Sequence, residues 1–253
     1  MLDLKWLRFD ILLVLLTPVM ASAQCQWPAT TLKTVFFHAE YPELTLLQIE
    51  FDDDAALAQS SAMEGSLLAR YRAALPSLID TDPRDQRALL RRQRVIFAAH
   101  DMRAEVAFFD AIRDGALGEI RGISCLEALL YEQLLSINMR QHHQLIASEL
   151  IAFTLKKNDP APRTMVLFAT GATDSVTAAP IMPRLRQAVS HGWRVEANLH
   201  NHPFFFGNPD IAGTITASAR DIDLMRRDRD LFEMPSAMIT NGFSTWEVST
   251  ADL

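Results

Sequence analysis

Arg194-Val195-Glu196-Ala197-Asn198-Leu199 runs directly into His200-Asn201-His202-Pro203. The first six residues read as a strand, and Pro203 stops it at once. Side chains two apart on a strand share a face, so the imidazoles of His200 and His202 point the same way. They stand at a strand terminus, where clefts open. Downstream, Ser218-Ala219-Arg220-Asp221 opens a helix expected over 218–227, with Asp221 early enough to offer an oxygen ligand to the same ion. Two His and one carboxylate, with a position left for water, form an open zinc site. Each piece also has a plain structural reading. A lone His-x-His pair is weak, Ser218-x-x-Asp221 is a fair helix capping box, and Asp210 or Asp223 compete for the third position.

The flanking sequence alternates strands and helices. Leu145–Leu155 is an apolar run closed by Lys156-Lys157-Asn158-Asp159-Pro160, and Met165-Val166-Leu167-Phe168-Ala169 reads as a strand. Pro183–Val189 is a short helix ended by Gly192. Ala237–Thr240 and Thr245–Val248 form a hairpin about Asn241-Gly242. This predicts a mixed α/β (α+β) domain over 142–253.

Residues 24–141 differ in character and are expected to form an accessory region, a hairpin followed by helices. Residues 33–52 read as two strands about Tyr41-Pro42. Asp52-Asp53-Asp54 offers caps for a helix from Ala55. Leu67, Leu68, Tyr71 and Leu75 recur at helical spacing, a further helix is expected from Arg84 to about Arg113, and another from Ser124 through Leu135.

Residues 1–23 read as a secretory signal. Lys5 and Arg8 precede the apolar run Ile11–Leu16, and Ala21-Ser22-Ala23 offers a cleavage site. The expected location is periplasmic or secreted, with no membrane span after cleavage, or membrane-anchored if the signal is retained. Cys25 and Cys125 are the two cysteines, and an oxidising compartment predicts a disulfide between them. A net charge of −7 argues against a nucleic-acid partner. At 49% hydrophobic and 22% charged residues, the chain is long and apolar enough to bury a substantial core. His142-His143 face apart, His191 sits at a helix end, and His38 and His100 stand alone, so none of these five makes a ligand set.

His200-x-His202-Pro203 followed by Ser218-x-x-Asp221 resembles the motif of the JAMM/MPN+ zinc metalloprotease family, and the order of elements over about 142–253 is similar. The resemblance implies a JAMM/MPN-like (cytidine-deaminase-like) fold with one Zn2+ per chain on His200, His202 and Asp221. It also implies a catalytic glutamate, an oxyanion donor in Ser218, and a peptide or protein substrate cleaved at an amide bond. Glu149 fits the glutamate by order, and Glu127 competes. The chain departs from the family pattern at Ala217, where a proline is usual, and in 204–217, which reads as an insertion with Phe204-Phe205-Phe206, Gly207 and Gly213 as a candidate flap. Relatives without the metal residues serve as scaffolds, so a non-catalytic MPN-like binding module is the alternative.

Overall fold

The computed structural model describes residues 24–52, 58–60, 66–75, 81–171, 176–204 and 212–253. The expected signal at 1–23 lies outside the described residues. Ten strands are described: β1 Gln24–Gln26, β2 Leu32–Phe36, β3 Thr45–Asp52, β4 Ala58–Ser60, β5 Glu119–Gly122, β6 Leu150–Lys157, β7 Arg163–Thr170, β8 Arg194–Asn201, β9 Ser236–Thr240 and β10 Ser244–Ser249. The helices are α1 Leu67–Ala74, α2 Gln86–Ala99, α3 Arg103–Arg113, α4 Cys125–His142, α5 Met182–Ser190 and α6 Ala219–Phe232.

Eight strands form one sheet in the order β2-β3-β7-β6-β8-β9-β10-β5. All its neighbours are antiparallel except β8 and β9. A parallel pair needs a crossover, and α6 supplies it. The central strands explain the architecture. Leu-Ile-Ala-Phe-Thr-Leu in β6 and Thr-Met-Val-Leu-Phe-Ala in β7 are apolar almost without alternation, so both faces must be covered. One face packs Phe153, Leu167, Val195 and Ile239 against α3, α5 and α6. The other packs Ala152, Val166, Phe168 and Leu199 against α1 and α4. Fully burying side chains of this size contributes ~1.5–3 kcal/mol each before chain entropy is subtracted.

Several expectations are corrected. The sheet crosses the boundary drawn at 141/142: the β2–β3 hairpin lies against β7, and β5 closes the far edge on β10. The single helix expected over 84–113 is two, α2 and α3. The chain reverses at His100 to Met102 with Asp101 in the left-handed region, at φ 54°. Folding back brings Phe97 to 5.3 Å from Phe109 and buries Phe109 and Ile112; a straight helix of ~45 Å would carry them off the core. Where a helix was expected from Ala55, the described part is β4, paired with β1. Helix α4 runs a full two turns beyond Leu135, and of the run from Leu145 only Leu150 onward is strand.

Cys25 and Cys125 form the expected disulfide, tying β1 to the first turn of α4 across a separation of 100 residues. Among the described residues no helix is long and apolar enough to cross a membrane.

Candidate metal centre

Strand β8 ends beside the start of α6, at the carboxyl end of the parallel pair, where open α/β sheets place their ligands. His200 lies opposite Ile151 on β6 and Ile239 on β9, which puts it on the face covered by α6. His202 continues that face, its backbone N–H donating to the Thr240 carbonyl at 2.9 Å. The rings lie edge to face with centroids 5.0 Å apart. Asp221 enters from the first turn of α6, each oxygen facing one ring: His200 Nε2 to Oδ1 is 3.6 Å, and His202 Nε2 to Oδ2 is 3.6 Å. One ligand atom from each residue lies within 4.8 Å of the others, so the three could hold a metal ion.

The donor set fits such an ion. At 3.6 Å the ring–carboxylate approaches are too long for hydrogen bonds. They match the ~3.4 Å edge of a tetrahedron with ligand distances of ~2.1 Å. His200 Nε2 is buried and has no hydrogen-bond partner, which native interiors rarely tolerate. His202 Nδ1 lies 3.1 Å from the Thr214 carbonyl, which holds its proton there and leaves Nε2 with a lone pair. Burial first, then the neighbouring His200, pushes the His202 pKa down to about 4, so its ring is neutral near pH 7. Burial raises the Asp221 pKa, but His200, His202 and Ser218 outweigh it and hold this carboxyl well below the usual range. A neutral His202 ring and an ionised Asp221 carboxylate suit a divalent cation.

Ser218 makes the capping box the sequence suggests and also orients Asp221. Its Oγ donates to Asp221 Oδ2 at 2.7 Å and its N–H donates to the same oxygen at 2.8 Å, while Oγ accepts from Asp221 N–H at 3.2 Å. Capping box and ligand set are therefore one construction. Its hydroxyl proton points at Asp221, so delivering it to a substrate oxygen requires rotation about χ1. Asp223, the competing ligand, faces Arg226 at 3.9 Å with most of its side chain in solvent. Asp210 lies outside the described residues.

The two glutamates separate cleanly. Glu149 immediately precedes β6, two residues before Ile151, which pairs with His200 at the end of the β6–β8 register. Glu127 is 3% exposed, caps α4, and receives two hydrogen bonds from Arg121 at 2.9 and 3.0 Å. It belongs to α4, on the opposite face of the sheet, next to β5, three strands or roughly 14 Å from β8. Glu127 is thus excluded from the centre.

Two asparagines that sequence reasoning passed over build the site's frame. Asn201, fully buried between the two His, accepts from Leu150 N–H at 2.6 Å and donates to the Ser148 carbonyl at 3.0 Å. It clamps the backbone on both sides of Glu149, whose carbonyl also accepts from Thr170 Oγ1 at 2.9 Å. Asn198, one step below His200, donates to buried Asp228 on α6 at 3.3 Å. Asp228 is seven residues from Asp221, two turns along one helix face. Their signal was available, since Asn is depleted in strand interiors and two in one short strand require partners.

The expected insertion divides. Phe204 is buried on the α4 side, edge to face with Phe243 at 5.8 Å, so it is core and not flap. Gly213 has φ 65°, and a Cβ there would overlap the Phe204 ring, so only glycine closes the loop. Phe205, Phe206 and Gly207 lie outside the described residues. Comparison with protein-family models, curated proteins and solved structures finds no match to this chain.

Proposed function

We propose that this chain is a zinc-dependent peptidase or isopeptidase of JAMM/MPN-like type, hydrolysing an amide bond of an exported substrate. The observation that carries the reading is the buried, unpartnered Nε2 of His200, grouped with His202 and Asp221, with Glu149 two residues before the β6 residue that pairs with His200. His200, His202 and Asp221 would hold the ion, and the chemistry zinc supplies there is acidification of water and polarisation of a carbonyl. Glu149 is the general base: its carboxylate takes a proton from the attacking water and returns it to the leaving amine. Ser218, after rotating from Asp221, donates to the oxygen that gains charge in the transition state. The disulfide accords with an oxidising compartment and so with export. The complete ligand set weighs against the scaffold reading, in which these positions have no reason to converge.

Metal analysis of the chain from Gln24 onward tests this. The expected result is about one zinc per chain, lost in His202→Ala. Glu149→Gln keeps its zinc and loses hydrolysis of peptide substrates by at least ~10²-fold. Absence of zinc after reconstitution, or full activity in Glu149→Gln, would overturn the proposal.

A further inference from the structure

A cleft of about 750 Å³ opens between α2, α3 and β5. Its floor is Leu90, Phe109, Ile112 and Ile120, the first three buried and the last partly so. Its walls carry four arginines, Arg87, Arg91, Arg94 and Arg113, against Asp114 and Glu119. Arg94 and Arg113 are held by Asp110 at 2.7 and 2.9 Å, and Arg113 also meets Asp114 at 2.8 Å. Arg87 and Arg91 project from the exposed side of α2 and meet no acidic partner among the described residues. Helix α2 contains four arginines and no acidic residue, in a chain whose net charge is −7. Such a concentration of one charge over an apolar floor is out of keeping with a merely solvated helix face.

A chain of hydrogen bonds links the cleft to the metal centre. Gln86, at its end, accepts from Asn241 Nδ2 at 3.2 Å, and the same amide donates to the Gly213 carbonyl at 2.8 Å. Gln93, on the same helix, donates to the Ala212 carbonyl at 3.0 Å. Gly213 is followed by Thr214, the residue that holds His202 Nδ1. Helix α2 therefore braces the loop behind His202 and presents Arg87 and Arg91 along the cleft.

We propose that this groove is an extended substrate subsite that selects an acidic peptide segment, its apolar residues on the floor and its carboxylates on Arg87 and Arg91. The inference rests on the peptidase reading and adds the substrate class to it. Guanidinium groups pair carboxylates through two parallel N–H donors. An apolar floor with a few polar anchors at its rim is the usual make-up of a ligand site.

The test is direct binding to the full mature chain, read by fluorescence anisotropy with a labelled peptide alternating Glu and Leu, beside its Lys–Leu counterpart. The expected result is binding of the acidic peptide alone, weakened as salt rises, and reduced at least tenfold in Arg87→Glu/Arg91→Glu. Arg87→Gln/Arg91→Gln should fall between the two. Zinc content should be unchanged in both variants, because neither residue touches the centre. Equal affinity for the two peptides, wild-type affinity in the charge-reversed variant, or stronger binding of a single-stranded oligonucleotide than of the acidic peptide would overturn the proposal. Binding is measured without turnover, so a chain that binds the acidic peptide but lacks zinc refutes the peptidase reading and leaves the groove standing. A zinc-loaded, active chain indifferent to peptide charge does the reverse.

Discussion

Ser218 carries the sharpest test at the scale of single residues. It caps α6, buttresses Asp221, and in the proposed reaction serves an oxyanion. Ser218→Ala removes all three and should lower stability by ~1 kcal/mol, whereas Ser218→Gly keeps most of the cap and should cost only tenths. If the hydroxyl serves the transition state, both variants lose about 10²–10³-fold in kcat while zinc remains bound. Thermal denaturation, metal analysis and kinetics on the pair separate the roles, and unchanged kcat in Ser218→Gly would remove the oxyanion assignment. His200, His202 and Asp221 were legible in the sequence because their signals are local: a two-residue strand period, a proline stop, and a cap three residues before an acid. The frame around them was not. Asn201 holds Ser148 and Leu150 from about fifty positions away, and no local pattern encodes such a bond.

At the scale of elements, the site depends on how α6 sits on β8. Apolar packing through Ile222 and Met225 gives attraction without register. The Asn198–Asp228 hydrogen bond adds register along the helix axis, and Arg227 offsets the charge of Asp228 at 2.9 Å. Asp228→Ala strands the Asn198 amide in the interior and should lower stability by about 1–3 kcal/mol. Zinc affinity should fall with it, because Asp221 is carried on the same helix. Denaturant titration and a competitive chelator assay measure the two effects, and unaltered affinity would mean that packing alone sets the helix. The central strands and α4, α5 and α6 were legible from apolar runs and caps. The break between α2 and α3 was not, since both carry one continuous helical period and the reversal at Asp101 answers to a tertiary demand, the burial of Phe109 and Ile112. Strand β5, Glu-Ile-Arg-Gly, shows no alternation and becomes a strand only through its partner β10.

For the whole molecule, the disulfide is the one covalent cross-link among the described residues. In the chain-entropy account, closing a loop of this length contributes ~4–5 kcal/mol by restricting the unfolded chain. Cys25→Ser/Cys125→Ser should therefore shift the denaturant midpoint down strongly while the folded protein keeps its zinc. A midpoint within error of the wild type would show that the unfolded chain gains nothing from release. The pairing was legible because only two cysteines exist. The single sheet was not, because composition changes near 141 while hydrogen bonding does not: β2, β3 and β5 come from one side of that change and five strands from the other.

The position of β9 bears on how the protein is made. It separates β8 from β10, its last residue supports His202, and Asn241 just beyond it secures the loop behind that ligand. A polypeptide emerging N-terminus first exposes both imidazoles well before the strand that braces them. On the proposed reading, metal loading then falls among the last events of maturation, and a chain terminated prematurely near residue 235 would carry His200, His202 and Asp221 without the strand that braces them.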